Sequence, residues 1–153
     1  MEWTRCSHEF MPDGSLRDIY VRGTTIQEWE QFYQFLIKKG FMLTYSRSDR
    51  SVALLPHQAI DIFKDKNCVH TLTINLHGLL LNCHFFTEHE LELDLDPKDI
   101  NSRARLELIL GFMQEIGRLL QKEVIMTPEN FDHLVLFHYI PNQDVIIYKG
   151  NQG

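Results

Sequence analysis

Apolar residues recur along this chain with two periods, and the switches between them mark out its elements. Ile26, Trp29, Phe32, Tyr33, Leu36 and Ile37 return at helical spacing behind Thr25-Ile26-Gln27-Glu28, a capping box. That helix ends at Lys38-Lys39-Gly40, where cations suit the carbonyl end and glycine suits a left-handed cap. A longer helix is predicted from about Ser102 to Lys122, carried by Leu106, Ile109, Leu110, Met113, Ile116, Leu119 and Leu120. Gly111 and Gly117 interrupt it, each costing up to about 1 kcal/mol relative to alanine. Both are therefore read as points of close approach by a neighbouring element.

The strands come in hairpins. Residues 2–10 and 15–22 flank the turn residues Pro12-Asp13-Gly14 and read as a first hairpin. Phe41–Tyr45 and Val52–Leu55 form a second around Ser46–Ser51, after which Pro56 opens a short helix carrying Ala59, Ile60, Ile62 and Phe63. Three strands follow, Val69–Leu76, Leu79–Phe86 and Leu91–Leu95, the first two joined by His77-Gly78. Beyond the long helix, Glu123–Thr127 reads as a strand and Thr127-Pro128-Glu129-Asn130 as a connector. Leu134–Ile140 and Val145–Tyr148 make a last hairpin around Pro141-Asn142-Gln143-Asp144.

The order ββα ββα βββα βββ predicts an α+β fold with three helices on one face of a mainly antiparallel sheet, because hairpin-connected strands do not build parallel βαβ units. The 153 residues suit one domain spanning 1–153. Its expected core holds Trp29, Phe32, Leu36, Leu72, Ile74, Leu81, Phe85, Leu106, Leu110, Met113 and Leu120.

Register sharpens the picture. With His77-Gly78 as a two-residue loop, Leu76 faces Leu79, Ile74 faces Leu81 and Leu72 faces Cys83 on an apolar face. Thr73 then meets Asn82 and Thr71 meets His84 on the opposite face. For Leu93 and Leu95 to stay on the apolar side, the next strand must bring Glu92 and Asp94 beside His84. A histidine among carboxylates is a candidate acid/base couple. The same strip of Thr71, Thr73, Asn82, His84, Glu92 and Asp94 also serves as the solvated face of an antiparallel sheet.

Charge separates the function classes. Residues 1–66 carry nine acids and nine bases, whereas residues 67–153 carry twelve acids and six bases, so the whole net charge of −6 lies in the second half. Six of those acids, Glu88, Glu90, Glu92, Asp94, Asp96 and Asp99, are opposed within their segment only by Lys98. Such a segment repels phosphate backbones, which argues against nucleic acid as a partner, and it would steer a basic protein toward itself.

No dinucleotide, P-loop, zincin, nucleophile-elbow or EF-hand pattern occurs, so no cofactor is expected. Eight histidines include no pair at the spacing by which a strand or helix chelates, as His70/His77, His84/His89 and His133/His138 illustrate, and no metal is expected. Cys6, Cys68 and Cys83 form no CxxC pair and are odd in number, fitting a reducing cytoplasm. The first residues lack the apolar stretch of a secretory signal and no run reaches membrane-spanning length, so no membrane association is expected. Nothing in the composition decides for or against association of like chains.

In size, charge and the stretch from Glu90 through Asp96-Pro97 and the long helix to Thr127-Pro128-Glu129-Asn130, the chain resembles bacterial immunity-type proteins and small cytoplasmic proteins near them. The resemblance implies a non-enzymatic domain that masks a basic surface of its partner. On that reading the binding residues are Glu88, Glu90, Glu92, Asp94, Asp96 and Asp99. The alternative is a hydrolase or nuclease-like enzyme that uses His84 with Glu92 or Asp94.

Overall fold

Among residues 1–150, which the computed structural model describes, nine antiparallel strands form a single sheet and the helices pack on one of its faces. The strands are β1 (Arg17–Arg22), β2 (Met42–Arg47), β3 (Arg50–Val52), β4 (His70–Leu76), β5 (Leu79–Thr87), β6 (Glu90–Leu95), β7 (Val124–Pro128), β8 (Phe137–Ile140) and β9 (Val145–Tyr148). The helices are α1 (Trp3–Cys6), α2 (Ile26–Lys39), α3 (Ala59–Lys64) and α4 (Arg103–Leu120), with single 3-10 turns at Ser7–Phe10 and Pro97–Asp99. The strand order is β3-β2-β4-β5-β6-β1-β7-β8-β9. No described helix is long and apolar enough to cross a membrane.

Alternation along each strand builds the core. Leu72, Ile74 and Leu76 of β4, Leu79, Leu81 and Cys83 of β5, and Leu91, Leu93 and Leu95 of β6 all turn inward. They meet Trp29, Phe32, Tyr33 and Leu36 of α2, and Leu106, Ile109, Met113 and Ile116 of α4. Each such side chain contributes about 1.5–3 kcal/mol when fully buried. Of the expected core, only Phe85 is partly exposed; it packs its ring against Trp29 at 5.0 Å between centroids.

Local chemistry fixes the helix ends. Thr25 accepts from the Glu28 amide while Glu28 accepts from the Thr25 amide, and Gly40 closes α2 at φ +76°. The short α3 starts at Ala59 rather than directly behind Pro56, because Glu30 of α2 accepts from the Ala59 amide at 2.8 Å and so caps the first turn from outside. Pro56 instead offers its carbonyl to the Tyr33 hydroxyl at 2.6 Å.

The N-terminal hairpin is a correction. Residues 3–10 are helical, as α1 and the 3-10 turn that follows it, and β1 pairs instead with β6 on one side and β7 on the other. Trp3, Cys6 and Phe10 fall three and four residues apart, so one helical face puts Cys6 and Phe10 into the core and stacks Phe10 on Phe137 at 6.1 Å. Pro12-Asp13-Gly14 is a turn all the same, with Asp13 accepting from both the backbone and the hydroxyl of Ser15. Two other strands are shorter than their apolar runs. β3 stops at Val52, short of Leu55, and β8 starts at Phe137 because residues 128–134 wind through two backbone turns.

Gly111 is a second correction. A Cβ at Gly117 would stand 2.1 Å from Tyr139, whereas a Cβ at Gly111 would meet nothing within 4 Å. Close approach therefore explains one of the two helix glycines and not the other.

Candidate functional site

Among the described residues, the sheet face away from the helices carries no covering element, and its centre is a polar cleft. The β4–β5 hairpin turns at His77 and Gly78, both with positive φ, and pairs Thr73 with Asn82 and Thr71 with His84. In β6, Glu92 lies opposite His84 and Asp94 opposite Asn82. The outward strip that alternation predicts is thus assembled, and β1 extends it, placing Tyr20 opposite Glu92 and Asp18 opposite Asp94.

A hydrogen-bond chain links β4, β5 and β6. Thr73 Oγ1 donates to Asn82 Oδ1 at 3.0 Å, Asn82 Nδ2 donates to Asp94 Oδ1 at 3.1 Å, and His84 Nε2 donates to Asp94 Oδ2 at 2.5 Å. On β1 the Tyr20 hydroxyl donates to Asp18 Oδ2 at 3.0 Å. Beyond β7, Glu129 accepts from the Leu16 amide at 2.6 Å, which holds the Glu129–Asp132 turn over the end of the cleft. Arg22 closes the rim, with its guanidinium 5.5 Å from the Tyr20 ring centre and within ion-pair distance of Glu90 and Asp132.

The cleft is open to solvent and about 450 Å³ in volume, lined by Asp18, Tyr20, His84, Phe86, Glu92, Asp94, Glu129 and Asp132 together with Leu16 and Asn130. Five carboxylates thus face one histidine. Burial holds the Asp18 carboxyl up at about 6, with Glu92, Asp94 and Glu129 adding to the effect against the opposing Tyr20 hydrogen bond. His84 is raised in turn, chiefly by its hydrogen bond to Asp94 and against its own desolvation.

The six acids of the sequence segment do not make one surface. Glu90, Glu92 and Asp94 point to the open face, and Glu92 and Asp94 line the cleft. Glu88 is exposed at the β5–β6 turn. Asp96 caps the 3-10 turn, accepting from the Lys98 amide at 3.0 Å and pairing with the Lys98 ammonium, while Asp99 lies within that turn.

Sequence reasoning missed Asp18, Tyr20, Phe86 and Glu129 as members of the site. The polar-apolar alternation of Asp18-Ile19-Tyr20-Val21 was a usable signal, but pairing that strand with residues 2–10 kept it away from Glu92 and Asp94. Phe86 follows His84 by two residues, so the alternation that puts Phe85 against the core puts Phe86 on the open face.

Cys83 is fully buried on the other face, with burial pushing its thiol far up. The Tyr20 and Thr73 hydroxyls are engaged as donors. His84 binds its proton more firmly than an ordinary histidine, because Asp94 accepts a hydrogen bond from its ring. No group of three histidines, cysteines or carboxylates among the described residues is arranged to hold a metal ion. His70 is structural, bonded to the Tyr45 hydroxyl at 2.6 Å and to the Asp65 carbonyl at 2.8 Å.

The chain matches no protein-family model, no curated protein and no solved structure.

Proposed function

We propose that this protein is a non-enzymatic binding domain of the immunity type, whose acidic cleft receives a basic protein partner. One observation carries the reading: Asp18, Glu92, Asp94, Glu129 and Asp132 converge on the uncovered sheet face around a single histidine. Holding carboxylates at such density costs folding free energy through mutual repulsion and desolvation, and a cationic partner offsets both. The reading narrows the binding residues from the whole Glu88–Asp99 segment to Glu92 and Asp94, and adds Asp18 and Glu129.

The test is capture of a partner from the source cell with the full chain as bait, followed by association kinetics. Association steered by the cleft slows as salt rises through about 0.1 M, where the Debye length is about 10 Å, while dissociation changes less. Changing Glu92 and Asp94 to their amides lowers the association rate. A captured partner that binds both proteins at the same rate removes the cleft from the interface.

Hydrolytic chemistry is the second reading, favoured by the 2.5 Å bond between His84 and Asp94. A panel of phosphodiester, phosphomonoester and carboxylic ester substrates tests it, and any activity that survives His84→Ala unchanged owes nothing to this couple.

A further inference from the structure

We infer that Asp18, Asp94 and His84 form a proton-operated charge switch on the uncovered sheet face, doubly negative in weak alkali and neutral in weak acid. The inference deepens the reading above, because such a switch governs how strongly the cleft holds a basic partner, yet the titration it describes belongs to the chain alone.

The β1–β6 ladder sets Asp18 directly opposite Asp94 on the open face, and side chains so placed have Cβ atoms about 4.5–5.5 Å apart. Each of the two residues is only 8% exposed, so water does little to screen one charge from the other. Two carboxylates brought together in this way do not ionise independently. The one with the poorer partners keeps its proton to higher pH.

Hydrogen bonds decide which one that is. Asp94 is served on both oxygens, by Asn82 Nδ2 at 3.1 Å and by His84 Nε2 at 2.5 Å, and the second donor is a cation when protonated. Among the described residues Asp18 receives only the neutral Tyr20 hydroxyl, at 3.0 Å. Asp94 is therefore the lasting anion and Asp18 the carboxyl that takes up a proton. The surroundings of Asp18 agree with this. Glu92 of β6 and Glu129 beyond β7 face it as further carboxylates, and Thr127, opposite it on β7, carries no charge. Arg22, the cation on the same face of β1, is placed on Glu90 and Asp132 instead. His84 has Asp94, Glu92 and Asp18 as its charged neighbours, with Thr71 opposite it on β4 and the Phe86 ring stacked on its own.

Three charge states follow. With Asp18 and Asp94 ionised and the imidazole neutral, the trio is doubly negative. His84, raised chiefly by its bond to Asp94, takes the first proton and leaves a single negative charge. Asp18, which burial holds up at about 6, takes the second and leaves the trio neutral. Both groups bind protons more firmly in the folded chain than in the unfolded one, so weak acid strengthens the fold while it removes the charge. A solvated patch of acids behaves differently: its carboxylates titrate near pH ~4 and hold their charge from about pH 5 upward.

The full chain, labelled with carbon-13 at the aspartate carboxyls and histidine rings, is titrated by nuclear magnetic resonance from about pH 4 to 9. The expected result is an Asp18 midpoint near about 6 and a His84 midpoint above its ordinary value, with Asp94 ionised throughout both events. His84→Gln keeps a donor for Asp94 but carries no charge. It should move the Asp18 midpoint upward by about half a pH unit or more, since Asp94 then stands beside Asp18 uncompensated. An Asp18 midpoint below about 5, or one that His84→Gln fails to raise, overturns the switch. Control of binding is read separately with N-acetyl-pentalysine amide, a cation throughout this range, at about pH 7.5 and 5.5 and one ionic strength. Affinity should fall at least about fivefold in the weak acid, and Asp18→Asn should cut that ratio by about half or more. Equal affinity at the two pH values, or an undiminished ratio in Asp18→Asn, overturns the control of binding. Absence of peptide binding at both pH values overturns the basic-partner reading, while the carboxyl titration still decides the switch.

Discussion

Tyr139 fills the space that a side chain at position 117 would need: a Cβ there would stand 2.1 Å from Cδ1 of the ring and 2.2 Å from Cε1. The ring cannot yield, since it is buried in the core and its hydroxyl donates to Asp144 at 2.8 Å, a carboxylate that Arg118 also grips. Gly117→Ala is therefore expected to destabilise the protein by about 1–3 kcal/mol, as overpacking does, despite the better helix propensity of alanine. Gly111→Ala, with nothing within 4 Å of its Cβ, should instead stabilise by up to about 1 kcal/mol. Urea unfolding of the two variants decides the matter, and shifts of the same sign would refute the packing account.

These two glycines also mark the limit of what the sequence discloses. A glycine inside a helix announces an exception to propensity, yet whether a neighbour approaches depends on tertiary packing that the local pattern does not encode. Turn-defined register was different. The two-residue loop at His77-Gly78 determines which residues of β4 and β5 meet, and the burial of Leu93 and Leu95 then forces Glu92 and Asp94 beside His84 and Asn82. The strip of the site on β4, β5 and β6 was legible for that reason. Its β1 side was not, because a strand placed by long-range pairing between β6 and β7 carries no turn to reveal its neighbours. The residues before it, Trp3, Cys6 and Phe10, stand at helical spacing, but over too short a span to outweigh the turn signal of Pro12-Asp13-Gly14.

The bond between His84 and Asp94 should be visible in pH titrations. His84 is held above its ordinary value, so its contribution to stability is complete below about pH 6.5 and is lost as pH rises through the higher folded-state value. Asp94→Asn removes the principal cause. Nuclear magnetic resonance should find His84 titrating at lower pH in that variant, and the stability difference from the unaltered protein should be on the order of 1 kcal/mol near pH 6 and shrink toward pH 8. A difference that grows with pH contradicts this assignment.

The acidic segment should divide into two functional groups. Asp96 and Asp99 belong to the 3-10 turn beyond β6 and do not line the cleft, while Glu92 and Asp94 do. Asp96→Asn and Asp99→Asn together should leave the association rate with a basic partner within about twofold, since neither lines the cleft and Asp96 is already paired with the Lys98 ammonium. Glu92→Gln with Asp94→Asn removes the same amount of charge and should slow association at least about tenfold. Equal slowing by the two pairs would mean that net charge, rather than the cleft, steers the encounter.

Asp18 offers the sharpest separation of stability from binding. Burial raises its carboxyl to about 6 from an ordinary 3.8, so the group favours the folded state fully only while protonated, and its contribution is lost as pH rises from about 4 through 6. A tenfold weakening of an acid corresponds to about 1.4 kcal/mol, so ionised Asp18 weakens the fold at neutral pH by at most about 3 kcal/mol. Asp18→Asn keeps an acceptor for the Tyr20 hydroxyl and removes the charge. That variant should be more stable than the unaltered protein at pH 7.5, by about 1–2 kcal/mol once relaxation around the new amide is allowed for, with the advantage disappearing below about pH 4. It should also bind a cationic partner less tightly, because the carboxylate whose ionisation opposes folding is one that a cationic side chain in the cleft would neutralise. Denaturation midpoints at the two pH values and partner affinity, measured on the same variant, test both halves. If Asp18→Asn stabilises the fold but leaves affinity unchanged, Asp18 lies outside the contact and the partner's cation rests on the other carboxylates of the cleft.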